Sequence, residues 1–233
     1  MKWTDKTTER LDEMQRECSL EDISDGKRYQ GEDLAKVDCQ DCVGCSDCCH
    51  DMGNTIILDP RDIYELTKGL QQTMEQLLTT TIELNVVDGI ILPNLKMQKQ
   101  GNQCAYLNKK GRCRIHDIRP GICRLFPLGR VYENGGFSYF LQDKECKSNH
   151  RSKIRIRKWI NLPEWKTYEK FVLAWHDYVK ATIERQREAS EEEKKQICVR
   201  LLTVFYLTPY QEQDFYAQFF QRIEKENDLN NTM

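Results

Sequence analysis

Five cysteines stand within eleven residues in the stretch VDCQDCVGCSDCCHDMG, residues 37–53. Four of them have the spacing C-x2-C-x2-C-x3-C that bacterial ferredoxins use to bind iron–sulfur clusters, namely Cys39, Cys42, Cys45 and Cys49. A gap of two residues lets both sulfur atoms face one centre, and three such gaps follow one another between Cys39 and Cys48. His50 stands where the ferredoxin pattern has proline. The pattern therefore predicts a bound metal ion or cluster.

Cys48 and Cys49 are adjacent, so their side chains are expected to diverge. A disulfide between them would be strained, and they are therefore predicted to serve different metal centres, unless one is a spare thiol. The count between residues 39 and 146 rises to nine through Cys104, Cys113, Cys123 and Cys146. Nine thiols are enough for two four-sulfur sites with one left over. Cys18 and Cys198 fit no cluster and are predicted to be ordinary thiols.

Disulfide bonds are the first alternative. The N-terminal stretch MKWTDKTTERLDEMQRE is too polar for a secretory signal, and no apolar run approaches the roughly 18 residues of a membrane span. These features predict a cytoplasmic protein without membrane attachment, in which thiols stay reduced. Eleven cysteines also cannot all pair with one another.

Zinc or mononuclear iron is the second alternative. Structural zinc sites with four cysteines usually combine two separated C-x2-4-C pairs. The later cysteines contain no such pair, which favours an iron–sulfur cluster over zinc. A mixed site stays open, because His50 follows Cys49 and His116 lies three residues after Cys113.

The net charge of −2 conceals a strong asymmetry along the chain. Residues 1–62 carry 16 acidic and 8 basic side chains, whereas residues 104–130 carry seven basic side chains and one acidic one. Arginines in the basic segment would compensate an anionic thiolate cluster, and a solvated basic loop is the simpler interpretation. In a third interpretation, Arg119 and Arg124 bind an anionic group of a cofactor or substrate.

Helices and short strands must position these residues. Residues 56–58 are predicted as a strand, followed by a helix with Asp59 as N-cap, Pro60 as its first residue and Gly69 as its end. Thr73 and Gln76 form a capping box that predicts a second helix. Hairpins are predicted with loops at 108–111 and 134–136, separated by an irregular segment at 115–129.

The last third of the chain is predicted to be helical, with about three helices. Their starts are marked by Pro163, by a capping box of Ser190 and Glu193, and by Thr208-Pro209 with Gln211 closing its box. The fold class is therefore α+β, a small irregular cysteine-rich core with a helical region packed on it. The predicted division is a polar segment (1–36), a metal-binding domain (37–150) and a helical region (151–233).

The cysteines resemble, in their order and spacing, those of the YkgJ-type cysteine-cluster family, a zinc- or iron-chelating domain whose relatives include bacterial flagellin lysine N-methylases. The motifs that carry the resemblance are CVGCSDCCH, IILDPRDIYEL and CAYLNKKGRCRIHDIRPGICRLFPL, within residues 39–147. The family positions are filled by Cys42, Cys45, Cys48, Cys49, Cys104, Cys113, Cys123 and Cys146, with Arg119-Pro120, Arg124 and Pro127 in the arginine–proline part. Cys39 is additional to the family pattern, and His116 stands where the family usually has tyrosine.

The resemblance implies metal binding and, through the methylases, transfer of a methyl group from S-adenosylmethionine to a protein lysine. The sequence contains neither a G-x-G nucleotide fingerprint nor the C-x3-C-x2-C motif of radical enzymes. A zinc or iron module without catalysis of its own, serving electron transfer or protein interaction, is the alternative. The acidic residues beside the cysteines would suit a basic redox partner; they are Asp38, Asp41, Asp47 and Asp51.

Nucleic-acid binding would have to use the basic stretch RSKIRIRKW, residues 151–159. Ile154 and Ile156 alternate with its basic residues, as in a half-buried strand. The pattern therefore favours a strand over a nucleic-acid site.

Overall fold

A computed structural model describes residues 23–39, 45–98, 102–142, 145–146, 151–211 and 214–231. Within these ranges the chain forms seven helices and four antiparallel strand pairs, which confirms the α+β class. The cysteines Cys18 and Cys42 lie outside the described residues. No helix in the described part is both long and apolar enough to cross a membrane.

The cysteine-rich part is built from short elements. In chain order they are β1 (Leu34–Asp38), a 3-10 turn (Asp47–Cys49), α1 (Pro60–Leu70), α2 (Met74–Thr80), β2 (Ile82–Val87), β3 (Ile90–Leu95), β4 (Met97–Gln98), β5 (Gln103–Cys104), a second 3-10 turn (His116–Ile118), α3 (Gly121–Leu125), β6 (Leu128–Glu133) and β7 (Gly136–Leu141). The elements that follow are β8 (Ser152–Arg155), α4 (Ile156–Ile160), α5 (Trp165–Arg187), α6 (Glu191–Leu202), a π-helical turn (Thr203–Leu207) and α7 (Phe215–Asn231).

The helix starts that rest on local hydrogen bonds lie where the sequence predicts them. The Asp59 carboxylate accepts the Asp62 N–H at 2.8 Å, and the Asp62 carboxylate accepts the Asp59 N–H at 3.1 Å. Equivalent capping boxes begin α2 at Thr73 and α6 at Ser190. α1 runs one residue past its predicted end at Gly69.

The hairpin turns also follow local chemistry. β6 and β7 are joined by Asn134 and Gly135, both with positive φ, as a two-residue hairpin turn requires. Asp88 and Gly89 form the same kind of turn between β2 and β3. The hairpin predicted around residues 108–111 is smaller, with a single bridge between Leu107 and Cys113.

Residues 56–58 run beside β3 rather than forming an independent strand. The Leu58 N–H donates to the Pro93 carbonyl at 2.8 Å, and the Leu95 N–H donates to the Ile56 carbonyl at 3.0 Å. The prediction of extended backbone is thus confirmed at this position, with its partner supplied by tertiary pairing.

Two elements in the C-terminal part differ from their predicted bounds. The strand predicted from Ile154 and Ile156 is confirmed at Ser152–Arg155, and it ends there because Ile156 begins α4, where it is fully buried. The last helix begins at Phe215 rather than at Thr208-Pro209. Arg222 of that helix donates to the backbone carbonyls of Val204, Thr208 and Pro209, so this segment is held by tertiary contacts outside the helix.

Strand pairing joins the two ends of the cysteine-rich part. β1 pairs with β8 in antiparallel register from Leu34 opposite Arg155 to Asp38 opposite Ser152. β1 itself spans the predicted boundary at 36/37, and its pairing with β8 links residues on the two sides of the predicted boundary at 150/151. The division into three regions stays a prediction.

The helical region packs on the cysteine-rich part through one continuous core. Phe171 of α5 is fully buried and makes an edge-to-face contact with Phe219 of α7, at 4.6 Å between ring centroids. The Tyr206 hydroxyl donates to the Leu58 carbonyl at 2.9 Å, and the Trp159 indole donates to the Phe126 carbonyl at 3.1 Å. The predicted helical region is therefore confirmed, and it fixes α1 and α3 from behind.

Candidate metal centre

Six of the predicted ligand cysteines line one cavity of about 610 Å³. They come from four separate segments and are Cys45, Cys48, Cys49, Cys104, Cys113 and Cys123. Cys39 and Cys146 do not line this cavity, and Cys42 lies outside the described residues. The convergence of six thiols from distant positions is what a shared metal centre requires.

A cross-connection places the cysteine run beside β5. His50 forms an antiparallel bridge with Gln103, and the Asp51 N–H donates to the Asn102 carbonyl at 2.9 Å. This pairing sets the Cys48–Cys49 turn against Cys104, although more than fifty residues separate them in sequence.

Backbone bonds position the two remaining thiols. The Arg114 N–H donates to the Tyr106 carbonyl at 2.9 Å, which folds Cys113 back beside Cys104. Cys123 lies on α3, whose first N–H, that of Gly121, donates to the Asp62 carboxylate at 2.7 Å. A Cβ at Gly121 would stand only 3.3 Å from the Tyr168 hydroxyl, so this close approach favours glycine.

The thiols influence one another electrostatically. A hydrogen bond from Cys49 lowers the pKa of Cys48 to about 7 and raises the pKa of Cys49. Burial, assisted by the negative charge of neighbouring thiolates, raises the pKa of Cys104, Cys113 and Cys123. A bound cation would relieve this repulsion and favour the thiolates, so the donor set fits a thiophilic ion such as zinc or iron.

Cys48 and Cys49 differ from their prediction. Both side chains line the same cavity, and each shifts the pKa of the other. Within the described residues, no three His, Cys, Asp or Glu side chains already have the spacing of a preformed metal site. His50 and His116 also line the cavity, so a mixed site stays open.

Arg119 and Arg124 take different positions. Arg119 lines the thiol cavity and donates to the His116 carbonyl at 2.7 Å. Arg124 is buried on α3 and donates to the carbonyls of Asp117, Arg119 and Asn161. Arg124 therefore holds the backbone around α3 and α4 together, a role that the sequence did not predict.

A second, polar cavity of about 530 Å³ adjoins the thiol cavity. Three residues line both spaces, namely His116, Arg119 and Trp159. Arg61, Glu65 and Lys158 also line the polar cavity and were missed in the sequence. The i,i+4 spacing of Arg61 and Glu65 on a predicted helix was the one available signal.

Two interacting carboxyl groups support α3 from the side of α1. Burial raises the pKa of Asp59, and burial together with the Asp59 charge raises the pKa of Asp62 to about 8. Each such group binds more protons in the folded state than in the unfolded state. The free energy of unfolding therefore falls as the pH rises from the unfolded pKa, near 3.8, to the folded pKa of about 8.

We expect Asp59→Asn to make this pH dependence weaker. Asparagine keeps the helix cap and removes the charge that raises the pKa of Asp62. Urea unfolding between about pH 5 and pH 8, at constant metal content, should show a wild-type slope of at most about 1.4 kcal/mol per pH unit for each proton and a smaller slope for the variant. Thr73→Asn, at the cap of α2, is the control and should keep the wild-type slope. Equal slopes for Asp59→Asn and wild type would contradict the coupling.

Residues 41–158, just over half of the chain, match a family model named CxxCxxCC and described as "Putative zinc- or iron-chelating domain". Neither a curated protein nor a solved structure matches the chain. The matched range starts after Cys39, which is additional to the family pattern, and extends through β8 into α4. The narrower YkgJ-type name is not tested by this match. With the thiols of four segments facing one cavity inside the matched range, the chain belongs to the CxxCxxCC family of zinc- or iron-chelating domains.

Proposed function

We propose that this metal-chelating protein holds an iron–sulfur cluster in the thiol cavity. The observation that carries the proposal is the convergence of six cysteine side chains on one space. A structural zinc ion and an iron–sulfur cluster each take four thiolates, so the way in which the chain delivers the thiols, rather than their number, favours a cluster. Single cysteines delivered from separate loops, namely Cys104, Cys113 and Cys123, support a cluster.

Residues of the chain itself would prepare the site for such a cluster. Cys104, Cys113 and Cys123 are fixed by backbone pairing to β5, the 107–113 loop and α3, and they would supply thiolates. Arg112 and Arg119 line the same cavity and would offset the negative charge of those thiolates. A cluster, when bound, supplies one-electron transfer or a Lewis-acidic iron.

Metal analysis of protein purified without air tests the proposal. We expect a brown protein with broad visible absorption and comparable amounts of iron and acid-labile sulfide. A colourless protein with stoichiometric zinc would contradict the cluster and favour a zinc module, the alternative within the same family. A protein that retains neither metal would contradict both versions.

Methyl transfer from S-adenosylmethionine to a protein lysine is a second candidate. Its support is that Arg119 lines both the thiol cavity and the polar cavity, where it could bind the carboxylate of the cofactor. Arg124 would act only by positioning, because its guanidinium is bonded to backbone carbonyls. The absence of any thermal shift with S-adenosylmethionine, measured on anaerobic metal-loaded protein, would contradict this candidate.

Electron transfer to a protein partner is the corresponding non-catalytic version. Asp47, Asp51 and Glu145 line the thiol cavity and could receive a basic partner. Asp38 lines the polar cavity instead, and Asp41 lies outside the described residues.

A further inference from the structure

The polar cavity beside the thiol cavity has an uneven charge distribution. Its walls come from β1, α1, the second 3-10 turn, α3, β8, α4 and the loop after α4. Four cationic side chains line it, namely Arg61, Arg119, Arg124 and Lys158. Three carboxylates also line it, namely Asp38, Glu65 and Asp117. Positive charge therefore exceeds negative charge by one at the cavity wall.

The pairing of these groups leaves the excess of one positive charge in place. Arg61 forms an ion pair with Glu65 at 2.8 Å, which neutralises both. Arg124 is only 7% exposed, yet within the described residues its guanidinium donates only to uncharged backbone carbonyls. A buried charge without a counter-ion is costly. Because none of its acceptors is charged, Arg124 also leaves a positive potential in this cavity.

Lys158 gives the cavity a cation at its exposed edge. Its residue is exposed, and no hydrogen bond or ion pair holds its ammonium group in the part of the chain that the structure describes. It can therefore turn toward a ligand without first breaking another interaction.

Three side chains separate the polar cavity from the thiol cavity and so fix where a bound molecule would lie relative to the thiols. Trp159 is held in that wall by its hydrogen bond to the Phe126 carbonyl, and Arg119 and His116 complete it. A molecule anchored in the polar cavity would lie next to the thiols across these three side chains.

We propose that the polar cavity binds the anionic end, a carboxylate or a phosphate, of a small molecule that lies beside the metal centre. Arg119 and Lys158 supply the charged donors, and the buried charge of Arg124 adds to the positive potential. The position beside the centre rests on the proposed metal function, whereas anion binding itself can be measured with or without metal.

Calorimetric titration with inorganic phosphate and, separately, with acetate tests the proposal. We expect saturable binding of one or both ions to the full chain at constant ionic strength; which of them binds distinguishes a phosphate ligand from a carboxylate ligand. Lys158→Glu should weaken binding by about tenfold or more. Lys153→Glu, an exposed residue of β8 that does not line the cavity, changes the net charge equally and should bind like the wild type.

The outcomes separate this proposal from the metal function. No saturable binding of either ion, or equal affinities for the two variants, would overturn the anion site. Iron, sulfide and zinc are assayed on the same samples. Metal binding without anion binding would contradict only the proposed anion site. Anion binding without metal would contradict only the proposed metal centre.

Discussion

Replacing Cys123 with serine is expected to remove most of the bound metal and to lower the free energy of unfolding by about 3 kcal/mol or more. A hydroxyl is a poor ligand for the ions that favour thiolates, and the energy of ligand binding is folding energy when the site organises its loops. Cys123 lies on α3, between Gly121, which is bonded to Asp62, and Arg124. Iron and zinc analysis together with urea unfolding measure both effects.

Cys198→Ser is the matched control for this change. Cys198 is also buried, but it lies on α6 and its sulfur accepts a hydrogen bond from Gln186 at 3.2 Å. A serine hydroxyl can accept the same bond, so metal content should stay at the wild-type level. Wild-type metal content and stability in Cys123→Ser would show that this thiol is not a ligand. Cys45→Ser, at another position on the cavity wall, should behave like Cys123→Ser.

Replacing Arg124 with methionine is expected to cost about 3 kcal/mol of stability, because three carbonyl groups lose a charged donor in a buried place. Lysine should not restore it, since a single ammonium cannot reproduce the planar fork of donors. The donors of Arg124 join the second 3-10 turn to α3 and to the residue after α4. Chemical denaturation of Arg124→Met and Arg124→Lys gives the two values.

Lys158→Met controls for the loss of a cation at the same cavity. Lys158 makes no hydrogen bond or ion pair in the described residues, so its replacement should change stability by no more than about 0.5 kcal/mol. If Arg124→Met lies within about 1 kcal/mol of wild type, the three carbonyls do not depend on Arg124.

Features that depend on neighbouring residues could be predicted from the sequence. The caps at Asp59, Thr73 and Ser190 and the turn at Asn134 all use hydrogen bonds or dihedral angles within a few residues. The start of α7 could not be predicted in the same way. The carbonyls that precede it accept hydrogen bonds from Arg222, which lies about two turns into the helix.

The same distinction between local and long-range features applies to the predictions about the site. Spacing predicts the cysteines to be metal ligands because a ligand pattern is local, and the family match supports metal binding by this part of the chain. Which thiols share a cavity depends on the bridge between His50 and Gln103, a pairing over more than fifty residues that the spacing does not encode. The polar cavity could not be predicted from the sequence, because Arg61 and Lys158 line one cavity only when α1 and α4 pack beside α3.

The pairing of β1 with β8 has a consequence for the affinity of the centre. It places Asp38 opposite Ser152 and so closes into one loop the whole segment that carries the clustered thiols. Closing a loop of this length costs about 4 kcal/mol of chain entropy, and the strand pair meets that cost without any ion. The sulfur atoms are thereby held at a high effective concentration, so an incoming ion spends less of its binding energy on gathering them.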